Sequence, residues 1–250
     1  MASLAKLIEK SGRAIVSLRA GFNKRTKFQE DYRHFLSLDQ NPKLHASVDD
    51  QKACLNDSTE NTEFDAHYIY HPAWAARIVK MIDPEKHIDI SSTLNFCAIL
   101  SAFIKTEFYD YRPAILNLDN LTSGHADLTD LKFQSNSIES LSCMHTIEHI
   151  GLGRYGDPLD PEGDVKAINE LKRVVKLGGS ILFVTPVGRP RIMFNAHRIY
   201  DPNMITKFFD GFKLREFSLV KDDHSFEPNA SMETALMQEY GCGCFWFIKE

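Results

Sequence analysis

No run of about 18 apolar residues occurs anywhere in the sequence, the length a helix needs to cross a bilayer, so no membrane span is expected. No C-x-x-C pair occurs either. Cys54, Cys97, Cys143, Cys242 and Cys244 are scattered and odd in number, which suits free, buried thiols in a reducing cytosol better than a disulfide framework. The N-terminal apolar pattern is interrupted by charges, so no signal peptide is expected. Positive charge is scarce outside the first residues. Residues 1–27 carry seven Lys/Arg against one acidic residue, a net of +6 that leaves −11 for the rest of a chain of net charge −5. An acidic body argues against broad nucleic-acid binding.

Leu4, Leu7, Ile8, Ile15, Leu18 and Phe22 recur at helical spacing, with Lys6, Lys10, Arg13 and Arg19 on other faces. This reads as a basic amphipathic helix over residues 1–27. It either packs on the domain or a partner subunit, or makes peripheral contact with the inner face of a membrane; Glu9 and scarce serine count against a mitochondrial presequence. Phe28–Leu38 continues as a second helix, and Asn41–Asp65 is a polar linker without periodicity. The expected division is therefore 1–64, a helical extension with linker, and 65–250, the main domain. Length suits one α/β domain with an appendage. The oligomeric state is not legible.

The most ordered pattern lies between Asp127 and Pro186. Ile138–Met144 is a short apolar run after the turn residues Ser135-Asn136-Ser137, and reads as a buried strand. Val165, Ile168, Leu171, Val174 and Val175 share one helix face. Lys176-Leu177-Gly178-Gly179 stops that helix, and Ser180–Thr185 is a second buried strand. Strand, helix and strand make a βαβ unit of a parallel sheet. Upstream, His67–Met81 opens with aromatics and then shows helical spacing, with Pro72 well suited to the helix start. His87–Ile90 reads as the first strand, and Glu107–Tyr111 as the second. Downstream, His197–Tyr200 and Pro202–Phe209 suggest a loop and helix. Leu214–Val220 and Gly243–Ile248 are the last two strands.

The runs DLTDLKFQSNSIESLS, HTIEHI and ELKRVVKLGGSILFVTP resemble the second half of a class I S-adenosylmethionine-dependent methyltransferase. HYIYHPAWAARIV, HIDISS, YDYRP, EHIGLGRYGDPLDPEGD and FNAHRIY narrow the resemblance to a methyltransferase-like family first described from Caenorhabditis. Its bacterial members often lie near surface-polysaccharide genes. The resemblance covers about Asp65 to Lys249. It implies a Rossmann-like, seven-stranded, mostly parallel sheet with helices on both faces, the last two strands antiparallel at one edge.

It also implies a site. Such enzymes usually carry Asp-x-Gly-x-Gly after the first strand; here Asp89-Ile90-Ser91-Ser92 has no glycine. Asp89, Ser91 and Ser92 are still the expected contacts to the methionine part of the cofactor. Asp110, about 20 residues beyond the first turn, is placed to accept both ribose hydroxyls. Arg112 either pairs with it or is solvated. Asp127 and Leu128 occupy the adenine position, and His67 and Tyr68 the stretch that lies over the cofactor. His145-x-x-Glu148-His149 after the fourth strand supplies the catalytic candidates, with His145 or His149 as base. With His197 these three are also candidate ligands for a divalent metal ion holding acceptor hydroxyls. The alternative is an ordinary hydrogen-bonded Glu-His pair without metal. A zinc-protease reading fails because Gly151 and Gly153 end the segment within a turn. Arg154, Tyr155, Asp157 and Asn195 are candidate acceptor contacts.

The implied function is methyl transfer from S-adenosylmethionine to a small polar acceptor, such as a hydroxyl on a sugar or surface-glycan precursor, in the cytoplasm. A second reading is a non-catalytic binding or scaffold protein whose cofactor pocket has decayed.

Overall fold

The structure is a computed structural model describing residues 22–41 and 43–250. They form two compact units, meeting in sequence at Glu63/Phe64. In the first unit, residues 22–38 form one helix, α1, with no break between 27 and 28. Phe28 and Tyr32 are its half-buried positions; the Tyr32 hydroxyl donates to the Ala46 carbonyl. After it the chain is irregular except for a single 3-10 turn at Val48–Asp50. The expected amphipathic helix over 1–27 lies, up to residue 21, outside the described residues. No helix among those described is long and apolar enough to cross a membrane.

The second unit opens with α2 (Ala66–Ile82), capped by the Asp65 side chain, which accepts from the Tyr68 amide. The helix runs straight through Pro72, where the sequence suggested a helix start. An interior proline removes one main-chain hydrogen bond at a cost of about 3 kcal/mol. The buried face of Ala66, His71, Trp74, Ala75, Ile78 and Val79 offsets it. The early start has a consequence for chemistry: His67 and His71 fall one turn apart on the same side of the helix.

Then follow β1 (Lys86–Ile90), α3 (Leu94–Leu100), β2 (Lys105–Asp110), β3 (Leu121–His125) and β4 (Ile138–Met144). Next come α4 (Gly163–Val174), β5 (Val175–Val187), β6 (Arg191–Met193), β7 (His197–Ile199) and α5 (Pro202–Phe208). The chain ends with β8 (Phe212–Val220), β9 (Phe226–Glu227), α6 (Met232–Leu236) and β10 (Gly241–Lys249). The main sheet is ordered β3-β2-β1-β4-β5-β10-β8-β9. The first five strands pair in parallel; β10 is antiparallel to both β5 and β8. Seven of these strands correspond to the expected sheet, and the two-residue β9 adds an eighth at the edge.

Two cores lie on the two faces. On β5, Ile181 and Phe183 point to one core and Leu182 and Val184 to the other, the period-two alternation of a strand covered on both sides. α4, α5 and α6 contribute Ala167, Ile168, Leu171, Ile205 and Ala235 to the first core. α2 and α3 contribute Trp74, Ile78, Phe96 and Leu100 to the second.

Two local details differ from the sequence reading. α4 ends at Val174 and β5 already begins at Val175, so Lys176-Leu177-Gly178-Gly179 is a bulge within the strand, not a helix stop. Ile138 pairs with Val175 and Ser140 with Ser180, which leaves the four residues looped out. A Cβ on Gly179 would sit 2.9 Å from the Lys176 carbonyl oxygen, so glycine is required there. The segment around His197 forms a hairpin, β6–β7, where a loop was expected.

His87 on β1 is fully buried and bridges the hydroxyls of Ser140 and Ser142 at 2.8 Å each. Burial lowers its pKa from the usual 6.5 to about 3, and burial also holds His71 well below the usual value. Both are therefore neutral in the fold but protonate in the unfolded chain below pH ~6.5, so unfolding takes up protons. Asp89, raised to about 6 by burial, works in the opposite direction over roughly pH 4–6 but is one group against two. The urea midpoint is expected to fall as pH drops from 7 to 5; a midpoint constant over that range would contradict the neutral, buried state of these histidines.

Candidate active site

β1 and β4 are neighbours in the sheet although their connections leave in opposite directions, to β2 and to β5. In an open parallel sheet this switch point opens a crevice at the C-terminal strand ends, where ligands bind. A cleft of about 320 Å³ lies there. Its floor is Ser91 after β1, Asp110–Arg112 after β2, Ala126–Thr129 after β3, and His145–Thr146 after β4. Its wall is the segment from His149 to Gly163.

The two central strand ends share an unusual backbone. Ser91 and His145 both adopt left-handed conformations, with φ of 58° and 53°. Such residues cost about 1–3 kcal/mol unless their surroundings hold them, and they concentrate at functional sites. Here the Ser91 amide donates to the Tyr109 carbonyl at 2.8 Å, the His145 amide to the Val184 carbonyl at 2.9 Å, and the Thr146 hydroxyl to the Ser91 carbonyl at 2.9 Å. Ser91 thus takes the backbone shape that the absent glycine would adopt freely. Ser92 faces inward: its hydroxyl accepts from the Met144 amide. Asp89 is fully buried, accepting from the Ser142 hydroxyl and the Ser92 amide, and does not line the cleft.

The two outer carboxylates each use one oxygen locally. Asp110 Oδ1 accepts from the Arg112 amide at 2.7 Å. Asp127 Oδ1 accepts from the Thr129 amide and hydroxyl at 2.8 and 2.7 Å. The second oxygen of each has no protein partner among the described residues. Leu128 is buried between them and the core. Arg112 does not pair with Asp110 through its side chain; its guanidinium lies over the Tyr155 ring, 4.9 Å from the centroid, and Arg154 lies near the same ring at 5.1 Å. Tyr155 thereby joins the wall to the β2 end through its cation–π contact with Arg112.

The wall is fastened from within. Asp157 Oδ2 accepts from the Gly151 amide at 2.7 Å and Oδ1 from the Tyr155 amide at 3.2 Å, so both its oxygens serve the loop, although it was expected at an acceptor. Gly151 has φ 78°, and a Cβ there would come within 2.0 Å of the Asp160 carbonyl oxygen. Arg198 on β7 is buried: it pairs with Asp164 at 3.3 Å and donates to the Ile150 carbonyl at 2.6 Å. Tyr200 donates to the same Asp164 at 2.8 Å. Arg198 and Tyr200 belong to the FNAHRIY run, but nothing in the sequence signals their roles as anchors. Asn195 is an exposed left-handed residue in the β6–β7 turn, outside the cleft.

His145-x-x-Glu148-His149 is a single 3-10 turn, Ile147–His149, following His145. The His145 Nδ1 lies 2.8 Å from Glu148 Oε1, and both side chains are almost fully buried. An acceptor on that side means Nδ1 carries the proton, leaving Nε2 as the lone pair. His149 repeats the logic: Nδ1 donates to the Ala196 carbonyl at 2.6 Å, which leaves the lone pair on Nε2. Burial lowers the His149 pKa, opposed by Glu148 and the Ala196 carbonyl. Glu148 Oε1 is 3.9 Å from His149 Nε2, and the His149 and His197 rings are 6.4 Å apart.

These four residues are not the group whose ligand atoms converge. Among the described residues, the convergent set is His67, His145 and Cys242. His67 and Tyr68 lie outside the cleft, against the other side of His145: the rings stack at 5.3 and 5.4 Å. Tyr240 stacks on His67 at 5.1 Å and packs at a tilt against His197 at 4.9 Å. Burial, then the neighbouring His145, lowers His67 to about 4.

Comparison with solved structures agrees with the fold. A candidate methyltransferase from Bacillus halodurans C-125 superposes with a TM-score of 0.52 at 15% identity, over 71% of this chain and 98% of that one. The MccD protein superposes with a TM-score of 0.50 at 13% identity, over 73% and 97%. No curated protein matches the sequence. One family model matches residues 101–238, more than half of the chain, from just after α3 to just past α6. With its methyltransferase-type sheet, the chain belongs to the family described as Caenorhabditis protein of unknown function, DUF268.

Proposed function

We propose that this protein transfers a methyl group from S-adenosylmethionine to a polar acceptor, with a hydroxyl of a sugar or glycan precursor as the preferred class. One observation carries the reading: side chains from four successive strand ends, Ser91, Asp110, Asp127 and His145, meet in one cleft at the switch point. The cleft suits the cofactor. Asp110 and Asp127 each present an unshared carboxylate oxygen, suited to ribose hydroxyls and to an adenine amino group. The similarity in fold to a candidate methyltransferase supports the same reading. The acceptor class rests on the genomic company of the resembling family, which is analogy.

When bound, S-adenosylmethionine supplies an electrophilic methyl group. The residues of this chain do the rest: they hold, orient and keep water away. His149 lines the cleft with Nε2 free of its own hydrogen bond, and is placed to take the acceptor proton. The 149–163 wall covers the cleft beside it, and the Arg198–Asp164 pair behind that wall fixes where it stands.

Three results are expected. Asp110→Ala loses on the order of 2–4 kcal/mol of cofactor affinity, because charge-assisted hydrogen bonds are removed; unchanged affinity by calorimetry would remove the ribose assignment. His149→Gln keeps cofactor affinity and slows transfer by about 10²–10⁴-fold. In the wild type, transfer then rises with pH about a midpoint below the usual histidine value of about 6.5, because only neutral His149 accepts a proton and burial lowers its pKa; a rise centred well above 7 would assign the base elsewhere. Gly151→Ala forces a side chain onto the Asp160 carbonyl and displaces the wall. It is expected to weaken cofactor binding, and a variant that binds as the wild type does would show that the wall plays no part.

A further inference from the structure

Beside the cleft lies a cluster that shares only His145 with it. His67 comes from α2, His145 from the end of β4 and Cys242 from β10. One donor atom from each lies within 4.8 Å of the other two. We propose that His67, His145 and Cys242 bind a zinc-type divalent ion.

The geometry is close to what such an ion requires. Zinc–nitrogen bonds near 2.1 Å and zinc–sulfur bonds near 2.3 Å place tetrahedral donors roughly 3.4–3.6 Å apart. Drawing the three donors together thus takes a movement of about 1 Å, within the reach of side-chain torsions. Two imidazoles and a thiol are a borderline-soft set; magnesium and calcium, which take oxygen ligands, are disfavoured.

The surroundings fit as well. Glu148 accepts from Nδ1 of His145 at 2.8 Å, the carboxylate–histidine arrangement that orients a metal-bound imidazole. The remaining nitrogen, Nε2, is buried and has no hydrogen-bond partner among the described residues. A buried, unpaired nitrogen costs about 1–3 kcal/mol if nothing binds it. His71, one turn along α2 from His67, is fully buried, its ring is 5.1 Å from that of His145, and neither of its nitrogens has a partner. It offers a further donor beside the set. His67 also lines a second cleft of about 450 Å³ with Asp65, Asp222 and Tyr240, which gives an ion a route in from solvent. Cys244, whose sulfur is 3.9 Å from that of Cys242, stands outside the convergent set and serves as the control.

The test uses the full-length protein, stripped with chelator and reloaded with zinc or cobalt, without cofactor or acceptor. Failure of the methyl-transfer reading therefore leaves it untouched. About one zinc per chain is expected to survive desalting, and cobalt is expected to give the near-ultraviolet absorption of a thiolate–cobalt bond. Cys242→Ser should abolish that absorption and His67→Gln should weaken zinc binding at least tenfold, while Cys244→Ser changes neither. Far-ultraviolet circular dichroism establishes that each variant is folded. A folded wild type that retains no zinc overturns the proposal. Zinc binding that survives both Cys242→Ser and His67→Gln, or that is lost only in Cys244→Ser, overturns it equally.

Discussion

The hydrogen bond between His145 and Glu148 holds together everything argued for this site. It closes a turn immediately after β4, with both side chains almost fully buried. Burying a carboxylate is costly unless its partner is held firmly. The turn supplies that firmness: the His145 amide is tied to β5 through Val184, and its backbone is held left-handed. One face of this turn is cleft floor, and the other meets His67, Tyr68 and His71. A change at His145 therefore reaches both sides at once.

The cleft needs a second constraint, because its outer wall is a glycine- and proline-rich segment with little regular structure. Polar fastenings stand in for secondary structure there. Asp157 gathers the amides of its own loop, and Arg198 grips the Ile150 carbonyl while paired to Asp164. Tyr155, between Arg112 and Arg154, ties the wall to the end of β2. A buried ion pair of this kind adds little net stability by itself, but losing one partner would strand the other. Its contribution here is placement.

Much of the fold was legible because its signals are local. The apolar runs of β1, β4 and β5 and the helical spacing of α4 follow from patterns a few residues long; the closing antiparallel pair was implied by the family resemblance and is observed. The boundaries that failed were tertiary decisions. Pro72 stayed helical because the buried face of α2 outweighed it, and Lys176–Gly179 became a bulge because Ser180 had to reach Ser140. The site was legible in part: Ser91, Asp110, Asp127, His145 and His149 do share one cleft. Asp89 and Ser92 instead turned inward, Asp89 to the Ser142 hydroxyl and Ser92 to the Met144 amide. The approach of Cys242 and His67 to His145 had no sequence signal, because three distant segments meet there only through the strand order.

The central claim is that a cleft without the usual glycines still holds the cofactor, with Ser91 carrying the left-handed backbone in their place. Isothermal titration of the full-length protein with S-adenosylhomocysteine, the product of the proposed reaction, tests it most directly. One site per chain with saturable heat is the expected result. No detectable binding at millimolar ligand to folded protein would contradict the account and favour a scaffold built on a methyltransferase fold.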